Sequence, residues 1–470
     1  MIHGLKLPAL TRERLRDIVQ MQIDLLYYAA SCDDVQFSTC ITYFNENPLE
    51  ERFKGRGEAI AGWLWERNTT KRHVFLEQFA TSGRQERQDK QAWCLRLRKE
   101  VCDFVRIHTD TTRTSIVIGD FFDGERAPNC RKSTSISTWR GAASCFFLYF
   151  YEEFLGSNTP FPATLFTGED RKPFARKELL EAFFAEEENQ GLEICPACDG
   201  SYYFMRGQKK DGQEIIHAFL DHYLPKSRYP HFACHPYNLV PVCHFCNSSV
   251  KGEKDPLLKD GVRQPLYRSA LPYGAIDLGS YTYLDVQVKE LGKPVTIEAL
   301  RPRPDKVDLA DDELLKAIEV IGRVYGIPER WAGASKTISE ALFRRIRQFL
   351  GNSSTMATAL PTGFDVPNEV NNLLEQLLFY LSEKDQDLRK APFAFAMTWV
   401  LVALINEYVQ PAIEAQRDSE SPGNCNTPGY DPSLLQEFVS WFGQDLGKND
   451  SRMSEVRKLL KVPGHRSSGF

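Results

Sequence analysis

No stretch of this sequence stays apolar for long enough to cross a membrane. The longest candidate, APFAFAMTWVLVALI from Ala391 to Ile405, holds 15 residues between Lys390 and Asn406, short of the roughly 18 to 20 that a spanning helix needs. A buried core helix is expected there, and no membrane association. The opening MIHGLKLPALTRERLRD lacks the apolar run of a signal peptide. Outside one window the cysteines are scattered with no framework spacing, which predicts a reducing, cytoplasmic setting and free thiols. An excess of positive charge is also missing. With 58 Lys and Arg against 63 Asp and Glu the net charge is −5, so any nucleic-acid surface has to be local rather than a property of the whole molecule. There is no internal repeat.

What is present is enough chain for two or three domains, since 470 residues exceed what one hydrophobic core usually serves. The expected fold class is α+β and multidomain. Residues 1–190 read as a mixed α/β region of unknown role. Within it Thr11 can cap a helix from Arg12 to about Ala30, with Leu15, Ile18, Val19, Leu25 and Leu26 on one face. Between Arg67 and Glu100 nine Lys and Arg stand against four Asp and Glu; such a stretch can hold phosphates, but a solvated helix face is the preferred reading. Thr114 to Phe122 reads as a strand. Ala142 to Leu155 is a buried helix or strand that periodicity does not settle, and Arg176 to Gly191 is a helix ending in an acidic connector. Residues 257–417 read as mainly helical after a strand at Tyr281 to Lys289, with helices expected from Asp312, at Lys336 to Leu350, at Asn368 to Leu381 and over the apolar segment. Residues 418–470 are a turn-rich linker followed by C-terminal helices.

Chemistry concentrates in residues 191–256. Five of the 12 cysteines and five of the 9 histidines lie between Cys195 and Cys246. Two Cys-x-x-Cys pairs, Cys195/Cys198 and Cys243/Cys246, can surround a tetrahedral Zn²⁺, and four thiolates leave it no open position, so this zinc is expected to be structural. The 44 residues between Cys198 and Cys243 are expected to fold as a unit of their own.

That insertion carries LDHYLPKSRYP and NLVPVCHFCNSSVKG. Hydrolysis of a phosphodiester needs a base for water, a divalent cation on the phosphate, and a group that aims the base. His222 can be the base. Asp221 is a hard oxygen ligand suited to Mg²⁺ or Mn²⁺. Neighbours on a regular strand face opposite ways, so Asp221 and His222 share a site only where the strand ends, which Pro225 favours. Asn238 can hold His222 through its amide or backbone carbonyl, and Asn247, at the start of a helix, can supply a second oxygen to the ion. Lys226, Arg228 and Lys251 are candidate phosphate contacts. His217 reads as a locally satisfied strand histidine, His231, Cys234 and His235 as loop residues rather than a second metal site, and His244 as facing solvent.

The order Asp-His, then Asn before Leu-x-Pro-x-Cys, then Cys-Asn with a Lys four residues on, resembles the HNH, or ββα-metal, endonucleases with a zinc-ribbon frame. The resemblance implies His222 as general base, Asn238 as the residue that orients it, and Asp221 with Asn247 as ligands of the catalytic divalent ion. The last position is Asn where the family name has His. The fuller string is similar to HNH subunits of bacterial anti-phage systems of the Septu type and their retron-associated relatives, which implies a nuclease effector beside a regulatory ATPase or other protein subunit. This similarity covers about 60 residues and does not reach the first 190.

The expected activity is therefore metal-dependent hydrolysis of DNA in antiviral defence. An RNase of the same fold is an alternative, since catalysis centred on phosphate does not separate DNA from RNA. A non-catalytic zinc-ribbon scaffold or nucleic-acid-binding subunit is the other; it has no need of Asp221, His222, Asn238 and Asn247 together.

Overall fold

The computed structural model describes residues 2–66, 72–80, 83–122, 136, 138–156, 161–166, 173–189, 192–200, 206–208, 214–216, 218–273, 278–289, 294–304, 311–342, 392–404 and 406–407. The helices expected at Asn368 to Leu381 and in residues 418–470, and His217, lie outside them. Packing divides the chain into two units, residues 3–190 with 203–275, and residues 191–202 with the chain from 276 onward. It is a mixed architecture of helices and small two-stranded antiparallel sheets.

The first unit is built on helices α1 (Ala9–Ser31), α2 (Phe37–Glu46), α3 (Gly57–Leu64), α4 (Arg72–Ala80), α5 (Arg84–Thr109), α6 (Trp139–Phe150) and α7 (Arg176–Ala185). In α1 the stripe Leu15, Ile18, Val19, Leu25 and Leu26 is buried, because an apolar row at helical spacing lowers its free energy only against another element. The helix starts at Ala9, earlier than a Thr11 cap predicts. Pro8 precedes it, and Thr11 is buried inside the first turn. The ambiguous segment from Ala142 is helical. Ala142 to Leu148 and Phe150 are all buried, so no polar face is left to print a period on the sequence. Thr138 caps it by accepting from the Gly141 N–H at 3.0 Å, and wider turns carry it on through Tyr151–Gly156.

One expectation for this region changes, and one is refined. Among its described residues up to 189 the only strand is β1 (Ser115–Ile116), so the region is helical rather than evenly mixed α/β. The basic stretch is not a uniform cationic surface. The Arg72 guanidinium lies 4.4 Å from the Trp63 ring centre and donates to the Trp63 carbonyl at 2.7 Å. Lys90 is fully buried and donates to the Phe79 carbonyl. Arg98 pairs with Glu50 at 2.7 Å. These three cations hold elements together, whereas Arg84, Arg96 and Lys99 are exposed on α5, as a solvated helix face has them.

The insertion does not stand alone as its own folding unit. β1 pairs with the strand Leu266–Tyr267, Phe104 of α5 packs against Phe232 with ring centres 4.6 Å apart, and His108 stacks on Tyr237 at 4.0 Å. The loop aromatics between Tyr223 and Asn238 need apolar partners, and α5 supplies them. The sequence boundary at 190 is therefore crossed by the first unit.

In the second unit an antiparallel pair, Thr282–Gln287 with Thr296–Pro302, packs with helices Asp311–Tyr325, Glu329–Gly333 and Ala394–Leu404. The last of these is buried at every residue but Phe395, as expected of a core helix. Among the described residues no helix is long and apolar enough to cross a membrane. Asp199, fully buried with φ +55°, caps it: its carboxylate accepts from the Phe395 N–H at 2.9 Å, and its backbone carbonyl accepts from the Phe393 N–H. Asp199→Ala is expected to cost at least about 1–2 kcal/mol, the usual loss of an N-cap, with added strain because alanine tolerates a left-handed φ less well than Asp or Asn. Thermal melting of the zinc-loaded protein checks this, and Asp199→Asn should keep most of the stability.

Among the described cysteines, Cys145 is disulfide-bonded. That corrects the expectation of free thiols throughout.

Candidate functional site

The strand Phe219–His222 pairs antiparallel with Leu239–Val242, setting Asp221 opposite Val240 and His222 opposite Leu239. A helix of seven residues, Phe245–Lys251, follows and packs against the first strand. Its turns are wide, closing with the Gly252 N–H on the Asn247 carbonyl at 3.2 Å. The order strand, strand, helix is the one expected. The first strand stops at His222, and Pro225, which has no N–H to give a ladder, lies three residues on.

His222 is 7% exposed. Its Nε2 lies 3.1 Å from the Ala233 carbonyl oxygen. That oxygen can only accept, so Nε2 carries the proton and Nδ1 keeps the lone pair. Burial, then the charges of Lys226 and Lys251, hold the imidazole well below its ordinary pKa; the Ala233 hydrogen bond opposes them without winning. The ring is neutral at physiological pH, the form a base must have. The Tyr151 ring meets it edge-on with centres 4.3 Å apart. Lys226 lies 4.5 Å from the Tyr151 ring centre and 3.8 Å from a carboxylate oxygen of Glu152. Tyr151 and Glu152 roof the site from about 70 positions away in the sequence, and no motif marks them.

Asn238 is fully buried but makes no hydrogen bond to the His222 ring. Its Oδ1 accepts from the Leu224 N–H at 2.6 Å, and its Nδ2 donates to the Leu224 and Phe232 carbonyls at 3.1 and 3.0 Å. Its backbone carbonyl accepts from the Tyr223 N–H at 2.9 Å. Asn238 therefore pins both ends of the loop that carries Ala233, and the Ala233 carbonyl aims the ring.

Asp221 is buried, with Lys251 Nζ 3.2 Å from its Oδ1. The same ammonium donates to the His222 carbonyl. Lys251, expected to meet phosphate, is only 2% exposed and faces inward to the acid instead. Asn247 is half-buried on the helix. Arg228 lies 4.0 Å from Asp255, whose carboxylate also accepts from the Tyr229 hydroxyl at 2.8 Å. Of the three phosphate candidates, Lys226 and Arg228 keep about a third of their side chains exposed.

The sulfurs of Cys195, Cys198, Cys243 and Cys246 lie within 4.8 Å of one another, all four residues buried. A tetrahedral site with Zn–S of about 2.3 Å spaces its sulfurs by roughly 3.8 Å, so a small contraction would seat the ion. Such a cluster can hold a structural metal such as zinc. The Cys246 N–H points at Cys243 Sγ at 3.4 Å, the local turn that brings both thiols to one side. Among the described residues this is the one group of three or more Cys, His, Asp or Glu positioned for a metal. His231, Cys234 and His235 are buried in the loop, His231 bonding Glu100 at 3.0 Å. His244 is exposed.

No protein-family model, curated protein or solved structure matches the chain.

Proposed function

We propose that this protein is a metal-dependent phosphodiesterase of the HNH, or ββα-metal, type that cuts DNA. The observation that carries this reading is His222 at the end of its strand, neutral, with Nε2–H committed to the Ala233 carbonyl and the lone pair on Nδ1. In this role Nδ1 takes a proton from the attacking water. Asp221, with Asn247 on the helix that follows the second strand, would hold Mg²⁺ or Mn²⁺, which would supply neutralisation of charge on the phosphate and leaving oxygen. The fit rests on oxygen chemistry: the Asp221 carboxylate and the His222 carbonyl already converge on one positive charge, the Lys251 ammonium. The four-cysteine zinc orders the frame and takes no part in the chemistry.

With so little of His222 exposed beneath Tyr151, a duplex does not reach the base as it stands. Displacement of the Tyr151–Lys226–Glu152 roof is therefore part of the proposed cycle, and it supports an effector held closed until a partner subunit or the substrate opens it. A role in anti-phage defence beside a regulatory ATPase is the setting in which such control is useful.

The test is cleavage of supercoiled plasmid and of RNA, side by side, by zinc-loaded protein in Mg²⁺ or Mn²⁺, alone and with any co-purifying subunit. DNA nicking that EDTA abolishes while zinc stays bound is the expected result. Cutting of RNA alone would make it a ribonuclease. No cutting of either, with the partner present, would leave the scaffold reading.

A further inference from the structure

We propose that Lys251 is a tethered counter-ion that occupies the cation position at Asp221, and that a divalent ion binds only by displacing it. The inference rests on the reading of Asp221 as a metal ligand. Lys251 ends the Phe245–Lys251 helix, and its side chain, 1% exposed, brings the ammonium to 3.2 Å from a carboxylate oxygen of Asp221, whose side chain is 3% exposed. The His222 carbonyl closes on the same nitrogen. A buried carboxylate without a cation is costly, so a protein that meets its catalytic metal only intermittently needs a substitute charge. An ammonium provides one. A divalent ion that takes Oδ1 together with the His222 carbonyl needs the place the ammonium holds, so at those two oxygens the metal and Lys251 compete.

Lysine suits the part. It is a compact point charge on a flexible four-carbon stem that can withdraw, whereas a guanidinium fork would lock the carboxylate in place. The stem starts at the last helical residue, and Gly252 follows with φ +48°, a left-handed conformation that glycine adopts without strain. The chain can thus reorient just beyond Lys251 without unwinding the helix. Displaced, the ammonium swings out beside the scissile position, where it can meet a phosphate oxygen. Lys251 is thereby a positioning residue for the metal and a cost on its binding, which keeps the site discharged until metal and substrate arrive together.

Two measurements on the full-length, zinc-loaded protein test this without reading activity. In the first, Mn²⁺ is titrated and its free spin-resonance signal followed, for wild type, Lys251→Met and Asp221→Asn. Removing the competitor is expected to tighten Mn²⁺ binding by about tenfold or more, within the range of ordinary site–site coupling, and Asp221→Asn to abolish it. In the second, which needs no variant and so survives a misfolded Lys251→Met, wild-type lysines are acylated with and without Mn²⁺ and read by mass spectrometry. Lys251 is expected to be protected in the absence of Mn²⁺ and several-fold more reactive at saturation. Mn²⁺ binding that needs Asp221 but leaves Lys251 labelling and the Lys251→Met affinity unchanged overturns the counter-ion role and spares the nuclease reading. Mn²⁺ binding by none of the proteins, or undiminished binding by Asp221→Asn, removes Asp221 as a ligand and overturns both.

Discussion

His222→Ala is expected to lower the rate of plasmid cleavage by about 100- to 10,000-fold, the usual contribution of a positioned general base, with zinc content unchanged. The size follows from what remains. On the proposed reading Asp221 and the helix would still hold substrate and metal, but no other described side chain presents a neutral imidazole at the strand end. Truncation also leaves the buried Ala233 carbonyl without its donor, costing about 1–3 kcal/mol. A drop in activity could then be confused with partial unfolding. His222→Gln separates the two, because its amide can still donate to that carbonyl while offering no basic nitrogen. Both variants should be inactive and the glutamine variant the more stable. If either cuts at the wild-type rate, the base is elsewhere.

The second large effect concerns the four cysteines. Chelating the metal, or replacing Cys243 with serine, is expected to remove several kcal/mol of stability, since metal binding at such sites is itself folding free energy, about 10–16 kcal/mol in isolated zinc-finger peptides. Whole domains are stable by only about 5–15 kcal/mol. The loss should be local first. Amides of residues 192–200 and 239–251 should lose protection from hydrogen exchange, because the Asp199 N–H to Cys195 carbonyl bond and the Cys246 N–H to sulfur contact depend on a held knuckle. Elemental analysis should find one zinc per chain before treatment. Protein that carries no zinc and exchanges identically with and without chelator would show that the four thiols are only packed together.

Much of the site is legible in the amino-acid order because it is local. Cys-x-x-Cys fixes two thiols within one turn, a Pro three residues beyond Asp-His favours the end of a strand, and both are settled by covalent spacing and backbone sterics. The apolar segment at Ala394–Leu404 and the buried stripe of α1 are legible for a similar reason: period and length need no knowledge of what they pack against. Segments buried on every side are not, as in α6, where loss of a polar face erases the period. The start of α1 is misplaced by a Thr11 cap, since Pro8 before Ala9 competes for the same role.

Local spacing was enough for the four-cysteine frame, the strand-end position of Asp221 and His222, and the two strands and helix that follow in order. What each side chain meets there came from packing. It turned Lys251 from phosphate toward Asp221, gave the aiming of His222 to the Ala233 carbonyl rather than to Asn238, spent Arg72, Lys90 and Arg98 on contacts between elements, and brought Tyr151 against the His222 ring. The physical reason is range. Spacing along the chain constrains groups a few bonds apart, whereas the partner of a buried charge or ring is whatever the packing of distant elements leaves within about 4 Å, and no residue pattern carries that distance.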